Sequence, residues 1–406
     1  MTSRTPATVA NEVEPSVTLT PEADGRSIRV EAWSHGRSVS RCWVVSQRIR
    51  IGAALVRMDG IGGVGTDGDH RHQGYAGQVL EAAIEHMRGG DAGLSMLYGI
   101  SGFYERFGYV PAGPEHLVSL AVDEHAPLPG GWSCKPAADG DLPHLRAVYD
   151  AATRDAVGAA VRLDRAYAWR TLAARLAEGD SDDCLVLWAP NQTIRGYVRH
   201  GTGFWAADVM QRDAPGEMVV AEALALDAES ADAALAVCAR APWRGSRKHH
   251  ISGVLIPCPH DGPVAAAAMR RNARLIRAYS GSGGSMARII RLRHVLRDLA
   301  PELSRRLRAR GLRPRKPLLI TTEDERVLLA PRGSTLEVGE PPEYVMPDTH
   351  RTWDARASDL AQLVLGARPP GDILDRGTRG LSARDRTLVE ALFPQRCPHM
   401  HLPDRY

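Results

Sequence analysis

From Ile28 to Thr66, apolar residues alternate or cluster between turn signals, as in SIRVEAWS, RCWVVS, IRIGAALVRM and GIGGVGT, a pattern that predicts a run of strands. At Tyr75 the period becomes helical. Ala76, Val79, Leu80, Ala83, Ile84 and Met87 fall on one face, and Gly89-Gly90 closes the pattern where a left-handed cap costs little. LSMLYG then predicts another strand.

The Pro- and Gly-rich HAPLPGGW, residues 125–132, suits neither a helix interior nor a central strand, and it marks a first boundary. Beyond it the alternation repeats. Helical patterns cover 141–152 and 165–177, strands CLVLWA, IRGYVRH and EMVVAEALAL follow, and a helix spans 229–240. SGSGGS, residues 280–285, lacks the Lys-Ser/Thr ending of a phosphate loop and reads as a flexible joint. After it, Leu292, Leu296, Leu299, Leu303 and Leu307 mark an amphipathic helix, PLLITTEDERVLLAP predicts strands, and 356–365 and 383–393 predict helices. The expected organisation is a disordered leader over 1–24 and three mixed α/β (α+β) units over 25–130, 131–284 and 285–406. The leader follows from the Thr, Ser, Pro and Glu content of the first twenty residues, which bury too little to offset ordering.

A chain of 406 residues exceeds what one core usually serves, in agreement with several units. Fifty-one Lys and Arg against 48 Asp and Glu leave a net charge of +3, too small at this length to argue for nucleic acid or an acidic membrane. The six cysteines, Cys42, Cys134, Cys184, Cys238, Cys258 and Cys397, show no CxxC spacing, which fits a reducing cytoplasm rather than a disulfide framework or zinc site. No signal-like start and no run of roughly 18 apolar residues is present, so the expectation is a cytoplasmic chain with no membrane partner.

Candidate chemistry concentrates in GGVGTDGDHRHQGYAGQVLEAAIEHM, a strand that leads through a polar loop into a glycine-bearing turn and a helix. Arg71-His72-Gln73-Gly74-Tyr75-Ala76 fits R-x-x-G-x-A. A helix start offers unpaired N–H groups and partial positive charge, so a diphosphate can rest on the backbone where Gly74 and Ala76 leave clearance. The same glycine also serves a simple strand-to-helix turn. Further on, LYGISGFYERFGYVPAG sets Tyr104, Phe107 and Tyr109 around a glycine turn, and Phe107 and Tyr109 read as core.

The hexapeptide resembles the coenzyme-binding signature of the GNAT acetyltransferases, and FYERFGY resembles a segment those proteins carry after their next strand. The whole chain after residue 25 is similar to the Eis-like acetyltransferases, which place two GNAT folds before a sterol-carrier-protein-like domain. LAQLVLGARPPGDIL, the Leu-Phe-Pro of LVEALFPQRCPHMHLPDRY and the final Asp-Arg-aromatic carry that likeness. It implies acetyl-CoA as co-substrate, no metal, direct transfer of acetyl to a primary amine of a small molecule (aminoglycoside-like, polyamine or other natural product), and a homo-oligomer, specifically a hexamer. It also implies that Tyr104 protonates the departing thiolate while the carboxylate of Tyr406 helps deprotonate the amine. Arg71 and His72 would pair with the pyrophosphate, Gln73, Gly74, Tyr75 and Ala76 would supply loop and backbone donors, and Val64, Gly65 and Thr66 would dock the pantetheine. Thr66 departs from the hydrophobic residue common at that strand end. The other reading of Tyr406 is a frayed terminus, and of Tyr104 a hydroxyl satisfied by a carbonyl.

The second unit lacks R-x-x-G-x-A after MVVAEALALDAES, so it is expected to bind no coenzyme, to wall the acceptor cleft and to carry the terminus home. Arg305, Arg306, Arg308, Arg310, Arg313, Arg315 and Lys316 form a basic run without interleaved aromatics, which reads as a solvated helix face or subunit contact. His249-His250 and the tail's His399 and His401 lack a ligand set for zinc. Trp43, Trp132, Trp169, Trp188, Trp205, Trp243 and Trp353 are core candidates, one or two of them lining an acceptor pocket. Two other functions stay open: a non-catalytic protein that holds coenzyme or a lipid in its C-terminal cavity, and an acyltransferase for longer acyl-CoA donors.

Overall fold

The computed structural model describes residues 16–406 apart from 164–165, 180–182, 202, 241–250, 281–282, 342, 344–348 and 375–380. Trp243, His249 and His250 therefore lie outside the described residues. The first stretch of chain forms β1 (Ser16–Pro21), β2 (Ser27–Ser34), β3 (Arg37–Ile51), β4 (Ala54–Thr66), α1 (Tyr75–Gly89), β5 (Leu94–Gly99) and β6 (Val110–Pro111). The middle contains β7 (Glu115–Ala121), β8 (Ser133–Pro136), α2 (Leu142–Ala152), β9 (Val157–Ala160), α3 (Tyr167–Ala177), β10 (Cys184–Trp188), β11 (Ile194–His200), α4 (Trp205–Asp213) and β12 (Glu217–Ala225). It continues through α5 (Ala228–Ala239), β13 (Gly253–Pro257), α6 (Pro263–Arg270), β14 (Arg274–Ala278) and β15 (Gly284–Ile289). The last stretch is α7 (Leu292–Ala309), β16 (Leu318–Thr321), β17 (Arg326–Arg332), β18 (Thr335–Gly339), β19 (Arg351–Asp354), α8 (Ala357–Val364), α9 (Pro370–Leu374) and α10 (Ala383–Leu392).

Three sheets result, with strand orders β1-β2-β3-β4-β5-β15-β6, β14-β7-β13-β12-β11-β10-β8 and β18-β17-β16-β19, and β9 joins the first through β3. The mixed α/β class agrees with the periodicity. The expected linear boundaries do not follow the hydrogen bonding. β7, on the first unit's side of residue 130, pairs with β13 and β14 in the second sheet, and β15 returns to pair with β5 and β6 in the first. Backbone groups of strands must find partners wherever the fold supplies them, and composition along the chain does not record which sheet that is. Gly284 and Ser285 of the expected joint accordingly sit in β15. The expected leader also ends sooner, because Ser16–Pro21 pairs along β2 from Trp33 to Ile28.

The first sheet is covered on both faces, which explains the split of its alternating side chains. Val30, Val44, Ile61 and Leu97 pack with Val79, Leu80, Ala83 and Met87 of α1 on one face. Ile49, Val56, Met58 and Met96 pack with Leu292, Leu296, Leu299 and Leu303 of α7 on the other. Arg306 of the basic run is not solvated: it is buried, with Nε donating to Glu302 at 2.8 Å and Nη1 to the Leu392 carbonyl at 2.7 Å. No helix among the described residues is long and apolar enough to cross a membrane.

Candidate active site

β4 and β5 run parallel and pair only from Met58↔Leu94 to Ile61↔Leu97; beyond Ile61, β4 stays with β3, and the two strands part. A cleft of about 720 Å³ lies beside that opening. Its walls include Val64, Gly65 and Thr66 from β4, Arg71, His72, Gly74, Tyr75 and Ala76 from the turn and helix start, and Tyr104. Of the predicted loop residues only Gln73 is not on the wall; its side-chain amide donates to the Asp69 carbonyl at 3.1 Å and braces the turn. His70, Gly77, Ile100, Phe103 and Arg106 also line the cleft. The predicted site omits them, although FYER, directly around Tyr104, carried the signal for Phe103 and Arg106, whose guanidinium stacks 4.3 Å from the Phe103 ring centre.

The turn geometry explains the glycine. Gly74 caps α1 at φ 88°, a left-handed conformation that favours glycine, and a Cβ there would meet open space. No side chain among the described residues caps the helix, and its first backbone bond back to the turn runs from the Gln78 N–H to the Gly74 carbonyl. The preceding N–H groups of Tyr75, Ala76 and Gly77 thus face the cleft with the helix dipole behind them, an arrangement suited to an anion. The equivalent start of α5 differs: the Asp227 carboxylate accepts from the Ser230 N–H at 2.8 Å and also pairs with Arg195, so that helix end is already filled.

Tyr104 reaches the opening from the α1 face. Its ring lies directly on Gly99, where any Cβ would overlap it, and it packs edge-on to Phe103 and Tyr109. Burial, with Cys42 adding to it, pushes the phenol up to about 12, so it holds its proton at neutral pH.

Tyr406 reaches the same opening from the opposite face. Its ring occupies the space that a Cβ on Gly60 would need, and its hydroxyl donates to the Met96 carbonyl at 3.1 Å. The terminal carboxyl carbon sits so close over Gly62 that a Cβ on that residue would lie 2.8 Å from it. The terminus is therefore seated rather than frayed. Tyr104 lines the cleft on the α1 side of the sheet. Tyr406 instead borders a separate hollow of about 310 Å³ with Arg162, Tyr167, Trp205 and Asp404. Among the tryptophans, Trp169 and Trp353 are fully buried, whereas Trp205 is 40% exposed and lines the cavities on the tail side.

His399 and His401 are buried beside each other, and no group of three or more potential metal ligands gathers among the described residues. All six cysteines are free thiols.

Residues 18–112 match the family described as acetyltransferase (GNAT) domain. A GCN5-related N-acetyltransferase from Kribbella flavida superposes with a TM-score of 0.66 at 18% identity, over 94% of this chain and 89% of that one. One from Anabaena variabilis gives 0.66 at 16%, over 93% and 89%, and Eis1 from Mycobacterium abscessus gives 0.59 at 16%, over 94% and 91%. No curated protein matches the chain in sequence. At such identities the superpositions establish a shared fold along nearly the whole chain, and the sequence match adds the chemistry of its first part: this protein carries a GNAT acetyltransferase domain and is an acyltransferase.

Proposed function

We propose that the protein transfers acetyl from acetyl-CoA to a primary amine of a small molecule, directly and without a covalent enzyme intermediate. The observation that carries this reading is the two-sided opening between β4 and β5, with the Tyr104 phenol on one face and the terminal carboxylate of Tyr406 on the other. The coenzyme's pyrophosphate rests on the N–H groups of Tyr75, Ala76 and Gly77 with Arg71 and His72 at its side. The pantetheine arm docks along Val64–Thr66, whose β5-facing edge has no strand partner among the described residues. An ammonium has no lone pair, so the Tyr406 carboxylate takes a proton from it and passes it to solvent; the free amine attacks the thioester carbonyl; as the C–S bond breaks the thiolate takes the Tyr104 proton, and the second proton shed by the new amide nitrogen restores the phenol. Amide and free thiol result. Burial holds the phenol up to about 12, so it carries its proton at neutral pH and has one to give as the thiolate departs.

The third unit is read as sterol-carrier-protein-like and the assembly as a hexamer on the resemblance, which light scattering tests. A lipid-holding role would use the hollows of that unit, one of about 10 Å³ between Leu318 and Leu329 and a larger one of about 540 Å³ beside Leu312, Pro331 and Leu336, and native mass spectrometry of the purified protein tests it.

Acetyl-CoA-dependent thiol release, screened over polyamines, aminoglycosides, amino acids and lysine peptides, tests the proposal. Tyr104→Phe should lower kcat by about 10²-fold or more while acetyl-CoA affinity stays within about twofold. Absence of coenzyme binding together with absence of thiol release would overturn the reading.

A further inference from the structure

Chain ends fray because a few residues cannot hold themselves against solvent, yet here Asp404 and Arg405 are held by buried ion pairs, to Arg162 just after β9 and to Glu115 of β7. Arg405 places Nη1 and Nη2 each 2.8 Å from the two oxygens of Glu115, at the start of β7, and its Nε donates to the Met400 carbonyl at 3.0 Å. Its guanidinium lies 4.5 Å from the centre of the Tyr98 ring of β5. One residue earlier, Asp404 accepts from Nε and Nη2 of Arg162, both at 2.8 Å. Arg162 in turn donates from Nη2 to Glu222 of β12 at 2.7 Å and stacks 3.8 Å from the Tyr149 ring centre. The side chains of Arg162, Glu222, Asp404 and Arg405 are each at most 5% exposed.

Buried ion pairs stabilise a fold little better than well-packed apolar residues, because desolvation offsets their attraction. What a forked guanidinium–carboxylate pair supplies is fixed direction. Two such pairs, on adjacent residues and anchored in a different sheet, determine where the next backbone carboxyl lies. That carboxyl is the one over Gly62. We propose that Glu115, acting through Arg405, and Arg162, acting through Asp404, are positioning residues that aim the terminal carboxylate at the reacting amine. The second domain thereby contributes the aim of the base without binding coenzyme. The inference rests on the terminal carboxylate acting as that base.

A double-mutant cycle on the full chain tests it, combining Glu115→Gln with a single glycine added after Tyr406, which moves the carboxylate by one residue. Gln retains one acceptor for Arg405, and Glu115→Asp serves if the first variant fails to fold, as judged by circular dichroism and acetyl-CoA binding. Each change alone should lower kcat at least tenfold with the KM for acetyl-CoA within about twofold. The added glycine should then cost less than about threefold in the Glu115→Gln background, since the carboxylate is already misaimed. Losses that multiply, or a fall in acetyl-CoA affinity in place of kcat, would overturn the positioning role. If the added glycine leaves the otherwise unaltered protein fully active, the base assignment itself is wrong and the positioning role falls with it; thiol release by that protein would still support acyl transfer.

Discussion

Gly60→Ala puts the seating of the terminus to a test that leaves the coenzyme loop untouched. Gly60 pairs with Val45 on one side and Met96 on the other, so β4 cannot retreat from the Tyr406 ring. A Cβ would lie 2.5 Å from Cε1 of that ring and closer still to Cζ, whereas ordinary contact begins at 3.4 Å, so the ring must move by about 1 Å or more. Full expulsion would forfeit the burial of an aromatic side chain, roughly 150–250 Å² at about 25 cal/mol/Å², or about 4–6 kcal/mol. It would also lose a hydrogen bond to Met96 worth about 1 kcal/mol. Tilting the ring within its seat costs only about 1–3 kcal/mol, as other overpacked sites do. Tilting is therefore the expected response, with the ion pairs of Asp404 and Arg405 retained. A base displaced by about 1 Å lowers turnover by about 10²-fold. The expected result is that loss in kcat by thiol release, acetyl-CoA affinity unchanged by calorimetry, and a modest drop in melting temperature. Gly89→Ala, where a Cβ meets nothing within 4 Å, should remain wild-type and serves as the control. A Gly60→Ala protein that turns over within twofold of wild type would refute the link between the Tyr406 seat and catalysis.

Gly74→Val places a branched side chain at φ 88° beside the cleft; acetyl-CoA affinity by calorimetry should fall at least tenfold, and the backbone strain of about 1–3 kcal/mol should also lower the melting temperature by several degrees. Arg162→Ala strips the cation from buried Glu222 and Asp404 and should cost about 3–5 kcal/mol in chemical denaturation, far more than loss of an exposed pair such as Arg332–Glu337. Acid should loosen the fold in two stages. Burial, with His260 and Arg277 nearby, lowers His116 to about 4, and burial with Arg175 lowers His200 to about 4. Both stay neutral in the fold while the unfolded chain takes up protons below about 6.5, so their stabilisation is complete above that pH and is lost as pH falls towards 4. Glu222 is opposed by burial but held down to about 2 by Arg162 and His401, so its contribution disappears only between about 4.5 and 2. Thermal melts from pH 7.5 to 3 should decline first below 6.5, and His116→Phe should flatten that first decline.

Local pattern determined much of this protein. The 3.6-residue period of Val79, Leu80, Ala83, Ile84 and Met87 prescribes α1, and Arg71 to Ala76 in front of it announces an open helix start, because helix and turn preferences act over a few neighbouring residues. The resemblance also singled out Tyr104 and Tyr406. Only the tertiary structure decided that β7 and β15 exchange sheets, since strand pairing joins residues far apart and its register leaves no trace in the apolar pattern of either strand alone. The same holds for the tail. Glu115, Arg162 and Glu222 are scattered charges in the sequence, and what makes them one device is the folded chain bringing Asp404 and Arg405 between them, where low dielectric and fixed geometry turn separate charges into directed pairs. The glycines at 60 and 62 likewise read as strand-weakening residues until the terminal tyrosine is found lying on them.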